Sequence, residues 1–254
     1  MVEQSQENGS SPSMVIAIVV YDGMTTLDAV GPMEILRFIP GARIEIVGST
    51  TGLVRTDVPS LELIATASFA EVDTPDVVLV PGGPGTSHVL DGDVVDWLRR
   101  VHVGTRWTTS VCSGSLILGA AGLLDGIEAT SHFGVVDLLD RFGATPSRDR
   151  VVVDRERGII TCAGVSSGID MALTLAAELA DEVTARAIQL LVEYDPHPPF
   201  HSGSLDSATD DVIERAVMIG SPHGAIPSFW VPPSAPAARP ARADEASMPA
   251  APTA

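Results

Sequence analysis

The chain is poor in cysteine, in basic residues and in long apolar runs, and each shortage excludes something. Its two cysteines, Cys112 and Cys162, build no disulfide framework, so a reducing compartment is expected. Lys and Arg number 15 against 33 Asp and Glu, a formal net charge of −18. Such a surface repels phosphate backbones and anionic lipid, which argues against nucleic-acid and membrane partners. No apolar run approaches the ~18 residues that span a bilayer. Met1 to Ser13 lacks the basic and apolar regions of a secretory signal, and the expected location is cytoplasmic. The dinucleotide fingerprint is missing too: Gly83-Pro84-Gly85 supplies G-x-G, but Ser87-His88 follow without a third glycine. His197, His201 and His223 show no metal-ligand spacing. Neither cofactor nor metal is expected.

What is present is a chain of 254 residues, 45% hydrophobic, long enough for a sizeable core. One domain is expected over residues 14–220. A polar N-terminal segment, 1–13, precedes it, and a Pro/Ala-rich tail, 221–254, follows; both are expected to be disordered, with Phe229-Trp230-Val231 the one docking point in the tail. Inside the domain strands and helices alternate. Val15–Val20 and Val77–Val80 are continuous apolar runs of the kind that buried parallel strands show. Arg43–Val47, Leu61–Ala65 and Trp107–Val111 read as further strands, and Val151–Val153 with Ile159–Cys162 as a hairpin. Helices are expected at Pro32–Phe38 with proline at its first position, at Val94–Val103 and at Val135–Phe142. Two more are expected at Gly168–Leu179, with Ser167 and Asp170 spaced like a capping box, and at Glu182–Tyr194 behind an Asp181 cap. This alternation implies an α/β fold: a mostly parallel sheet covered by helices on both faces.

The most informative stretch is Thr108-Thr109-Ser110-Val111-Cys112-Ser113-Gly114-Ser115. A β-type run ends on a cysteine, and small residues then open a helix. That is a nucleophile elbow with cysteine in the serine's place. The helix N-terminus is expected to depress the thiol pKa. Equally open from local sequence is a buried, inert Cys112. Pro81-Gly82-Gly83-Pro84-Gly85-Thr86 follows the strand Val77–Val80 and lies where parallel sheets bind ligands. It suits an oxyanion hole at Gly82 and Gly83, or a plain tight turn. Asp28 follows the first strand in the same manner. It either faces the site, where burial would raise its pKa, or caps the helix near Pro32. His132, twenty residues beyond Cys112, is either its imidazole partner or a structural histidine. Cys162 reads as inert core.

Together the Gly82-Gly83 loop, Ser110-Val111-Cys112-Ser113-Gly114 and His132 resemble the ThiJ/PfpI superfamily, which is class I glutamine amidotransferase-like. Three motifs are similar to its isonitrile hydratase branch: Leu27-Asp28-Ala29-Val30-Gly31-Pro32; Cys112 to Ser115 with Leu118-Gly119-Ala120-Ala121-Gly122-Leu123-Leu124; and Glu193-Tyr194-Asp195-Pro196-His197-Pro198-Pro199-Phe200. Ser113 stands where that branch commonly has Thr, and Phe133 where it often has Trp. The resemblance implies a flavodoxin-like three-layer sandwich, a homodimer, and hydration of an isonitrile to an N-substituted formamide. Cys112 is then the nucleophile and Asp28 the acid and base, with Gly83 and Ser113 N–H groups steadying charge. Lowering a thiol pKa from ~8.5 to ~6 gains only about two-fold once the loss of nucleophilicity is counted. A placed acid is worth ~10²–10⁴. A glyoxalase or deglycase acting on small dicarbonyls, and a ligand- or redox-sensing module, remain as alternatives. Proteolysis is disfavoured because Ser113, not histidine, follows Cys112.

Overall fold

The computed structural model describes residues 14–224 and 226. The expectations for 1–13 and for Phe229-Trp230-Val231 lie outside them. A seven-stranded sheet forms the centre, built from β1 (Met14–Val19), β2 (Ala42–Gly48), β5 (Ala67–Ser68), β6 (Val77–Val80), β7 (Trp107–Val111), β10 (Val151–Asp154) and β11 (Ile159–Cys162). Its order is β10-β11-β7-β6-β1-β2-β5, and every pair is parallel except the β10–β11 hairpin. β6, β7 and β11 are buried throughout, which explains why they read as unbroken apolar or small-residue runs rather than alternating ones.

Helices cover both faces. α1 (Thr26–Leu36), α4 (Ser167–Leu179) and α5 (Glu182–Leu191) pack together on one face; α2 (Asp93–Val101) and α3 (Gly114–Ala120) pack on the other. Two small ribbons sit outside the main sheet: β3 (Gly52–Arg55) with β4 (Glu62–Ala65), and β8 (Glu128–Thr130) with β9 (Thr145–Ser147). Helix α6 (Asp210–Gly220) closes the described chain, followed by a 3₁₀ turn at Ser221–His223. This is the α/β architecture expected from the alternation, in the flavodoxin-like form that the family resemblance implies.

Two local expectations need correcting. The first helix begins at Thr26, so Pro32 lies inside it and Asp28 lies in its first turn. A mid-helix proline removes one ladder bond. Pro32 packs closely against α4 there: a Cβ on Gly168 would sit 2.9 Å from Pro32 Cγ. The capping box at Ser167 does not form: α4 starts from Ser166 with no side-chain cap, and Asp170 turns instead to Arg150 and Tyr194. The Asp181 cap of α5 does form, accepting the Thr184 N–H at 2.8 Å. The stretch Val136–Phe142 is wound as a 3₁₀ helix.

Candidate active site

The strand order sets β11, β7, β6 and β1 side by side and parallel, so the segments leaving their C-terminal ends meet. Those segments carry Val165, Cys112, Gly82-Gly83 and Asp28 respectively. Cys112 has φ +58°, the left-handed conformation that a sharp strand-to-helix turn demands of the residue at its apex. Its backbone is tied on both sides. The N–H reaches the Cys162 and Ala163 carbonyls, and its own carbonyl accepts the Ser131 and Ser115 hydroxyls. The Pro81 loop presses against this turn so closely that a Cβ on Gly82 would lie 2.4 Å from the Ser113 nitrogen. Only glycine fits there.

Asp28 is fully buried behind the thiol. Its Oδ2 accepts the Gly82 N–H at 2.9 Å. The Cys112 thiol sits beside the carboxyl and favours its ionised form, while Oδ1 makes no well-aligned hydrogen bond among the described residues. Burial dominates and pushes the Asp28 carboxyl up to about 7. The expected depression of the thiol pKa does not hold. Burial, with the Asp28 carboxylate adding to it, pushes the Cys112 thiol well above its ordinary value; the Ser113 and Val165 N–H groups pull it only partly back. Helix α3 is a short helix, and its N-terminus does not outweigh desolvation. Above about pH 7 the pair therefore holds one proton, on sulfur, and the charge on Asp28 resists ionisation of the thiol.

The glycine N–H groups also have settled partners. Gly82 N–H is spent on Asp28, and Gly83 N–H donates to Ser113 Oγ at 2.9 Å. The expectation that Gly83 N–H steadies developing charge is therefore corrected: it orders Ser113 instead, and the Ser113 and Val165 N–H groups are the donors that face sulfur.

A cavity of about 320 Å³ opens over Cys112. Ser113, Thr86 and His132 supply polar edges, and Leu90, Leu116 and Leu138 supply apolar wall. His132 shares this cavity, yet it is not among the groups that set the protonation of the thiol. Burial pushes the imidazole down to about 4, and Nδ1 accepts the Gly134 N–H at 3.2 Å, so at neutral pH the ring is uncharged with its proton on Nε2. His132→Gln is accordingly expected to leave the shape of the kcat/KM pH profile above pH 5 unchanged. The Asp28 carboxyl is expected to set an acid limb near pH 7 in that profile, and loss of the limb in His132→Gln would assign it to His132 instead.

Cys162 is wholly buried at the end of β11, with burial pushing its thiol up to about 12. The sequence reading did not single out Tyr21, Thr86 and Val165. Tyr21 carries no local motif, Thr86 ends the glycine loop without a chemical signal of its own, and the signal for Val165 is its place after a strand's C-terminal end. Among the described residues no group of three or more His, Cys, Asp or Glu is placed to hold a metal ion, and no helix is long and apolar enough to cross a membrane.

A parallel sheet with a strained cysteine elbow and a buried acid at its C-terminal edge defines the class. The chain belongs to the DJ-1/PfpI family, whose pattern matches residues 14–178. It is 40% identical over 211 residues to the isonitrile hydratase of Pseudomonas putida, spanning 83% of this chain and 91% of that one. A crystal structure of a ThiJ/PfpI family protein from Pseudomonas syringae superposes with a TM-score of 0.78 at 39% identity, covering 88% of this chain and 94% of the other. A glutathione-independent glyoxalase of Caenorhabditis elegans is 28% identical over 105 residues, 41% of this chain and 55% of that protein.

Proposed function

We propose that this protein is an isonitrile hydratase, converting R–N≡C and water to R–NH–CHO. The observation that carries the reading is the buried Asp28 carboxyl set against the Cys112 thiol, in a chain so extensively similar to an isonitrile hydratase. Isonitrile carbon accepts both a nucleophile and a proton, so it needs an acid and a thiolate at one point. The Asp28–Cys112 pair supplies both from its single proton.

With that proton moved to Asp28, the Cys112 thiolate bonds to the terminal carbon while the carboxyl protonates the same atom, giving Cys–S–CH=N–R. Asp28, now ionised, takes a proton from water as its oxygen adds to the carbon, and passes that proton to nitrogen. The tetrahedral adduct then loses its hydroxyl proton to Asp28. The C–S bond breaks, the proton returns to sulfur and the formamide leaves. The low nucleophile population implied by the raised thiol is offset by delivery of a proton at the reacting carbon. The apolar wall of Leu90, Leu116 and Leu138 suits a hydrocarbon R group.

Incubation with cyclohexyl isocyanide should yield N-cyclohexylformamide, followed by the formyl proton in NMR. No formamide, with conversion of methylglyoxal to lactate instead, would replace this reading with the glyoxalase one.

The proposal includes a homodimer. Leu190, Leu191, Phe200, Met218 and Ile219, in the chain segments after α4, are among the exposed apolar residues, and two-fold dimers are the commonest oligomers. The Glu193–Phe200 arm is held to its own domain at Tyr194, whose hydroxyl donates to Asp170 Oδ1 at 3.0 Å, while Phe200 stays exposed. Light scattering should give twice the chain mass; a value near 26.5 kDa at micromolar concentration excludes the dimer.

A further inference from the structure

Beside Cys112 runs a line of three hydroxyls that the reaction above does not use. Tyr21 OH donates to the Pro81 carbonyl at 2.9 Å and lies 3.0 Å from Thr86 Oγ1. Thr86 Oγ1 lies 2.8 Å from Ser113 Oγ, which in turn accepts the Gly83 N–H. All three residues are buried.

The direction of every bond in this line follows from its far end. A carbonyl only accepts, so Tyr21 commits its one proton to Pro81. Thr86 must then donate to Tyr21, and Ser113 must donate to Thr86. Ser113 is left with its proton turned away and with lone pairs only: one takes the Gly83 N–H, and the other is free where Ser113 lines the cavity. Burial keeps the Tyr21 hydroxyl far above its ordinary value, so the end of the line does not ionise in the working range.

We propose that Tyr21 and Thr86 are positioning residues that hold Ser113 as a hydrogen-bond acceptor, and that this acceptor orients the water that hydrolyses the Cys112 thioimidate. The inference rests on the hydratase reading and adds a separate task to it. The attacking water must give one proton to Asp28 while its second O–H is held so that a lone pair points at carbon. An acceptor at Ser113 does that; a donor at Ser113 would leave the second O–H unheld and would draw density from the water oxygen through one of its two lone pairs, making it a poorer nucleophile. Addition of the thiol to the isonitrile involves no water and does not need the line. When Tyr21 loses its hydroxyl, Thr86 loses its acceptor and is free to donate to Ser113, which can then turn its own proton into the cavity.

The test is rapid mixing of wild type, Tyr21→Phe, Thr86→Val and Thr86→Ser with cyclohexyl isocyanide, followed by intact-protein mass spectrometry and formamide release. In Tyr21→Phe and Thr86→Val the adduct, heavier by one isonitrile, should form at close to the wild-type rate and then persist. Hydrolysis should slow by about ten-fold, the scale of one net hydrogen bond, and kcat and KM should fall together. Thr86→Ser keeps the hydroxyl and should restore hydrolysis relative to Thr86→Val. Hydrolysis at the wild-type rate in both hydroxyl-deleted variants overturns the proposal, and so does equal slowing of addition and hydrolysis, which marks simple distortion. If Tyr21→Phe does not fold, the two Thr86 variants decide the matter alone. Wild type that forms neither adduct nor formamide refutes the hydratase reading itself.

Discussion

Asp28→Asn is expected to be more stable than the wild type at pH 8 and nearly inactive. The side chain is fully buried, and its carboxyl titrates at about 7 when folded against about 3.9 in an unfolded chain. Between those values the folded state binds the extra proton, so stability falls as pH rises from about 4 to about 7. At full ionisation the accumulated cost is on the order of 4 kcal/mol. Asn carries no charge to bury, and its amide oxygen can still accept the Gly82 N–H that Oδ2 accepts at 2.9 Å. Thermal melts of the two proteins should therefore converge near pH 4 and separate by roughly 8–16 °C at pH 8, with the variant higher. Over the same range kcat/KM should fall by about 10²–10⁴, the usual worth of a placed acid. A variant that melts lower than wild type at pH 8 would show that the charge is stabilised by something other than the contacts described. A variant retaining more than about a tenth of kcat/KM would remove Asp28 from the reaction. In wild type, kcat/KM should rise with pH through an acid limb near 7, since the form with both thiol and carboxyl protonated has no base to free the sulfur.

Cys112→Ala is expected to fold normally and to lose activity by about 10⁴-fold or more. The elbow is held by backbone bonds: the Cys112 N–H to the Cys162 and Ala163 carbonyls, and the Ser131 hydroxyl to the Cys112 carbonyl. Alanine keeps the same Cβ at φ +58°, so it adds no backbone strain that cysteine lacks. What disappears is the sulfur that forms the covalent intermediate. The variant should show no mass increase with cyclohexyl isocyanide, and Asp28 in it should hydrate nothing. An adduct of the same mass in Cys112→Ala would place the nucleophile elsewhere and end the thioimidate mechanism. Cys112→Ser should also be inactive, because a buried hydroxyl gives up its proton far less readily than a thiol does.

The site was legible in outline before the fold was known. A β-type run ending on Cys112 and followed by Ser113-Gly114 encodes a sharp turn in adjacent residues, and the turn is there with its left-handed φ. Gly82 is needed because the Ser113 nitrogen is 2.4 Å from where its Cβ would be, a close approach that a glycine after a strand can signal. Asp28 was visible only as one of two possibilities, since the sequence around Pro32 suggested that the helix began there. The helix starts instead at Thr26, with Pro32 inside it against Gly168, and this puts Asp28 on the helix rather than in the loop before it.

By itself the sequence determined the alternation of strands and helices, the elbow at Cys112, the glycine loop and the shortage of basic surface. All of these are steric or compositional properties written in neighbouring residues. The tertiary structure alone decided that β1, β6, β7 and β11 lie side by side, and so that Asp28, Gly82, Cys112 and Val165 share one place. It also decided the sign of the thiol's pKa shift. A helix terminus acts locally and can be read from the chain, but desolvation depends on which distant segments close over a group. Here they close over both Cys112 and Asp28, and burial outweighs the helix.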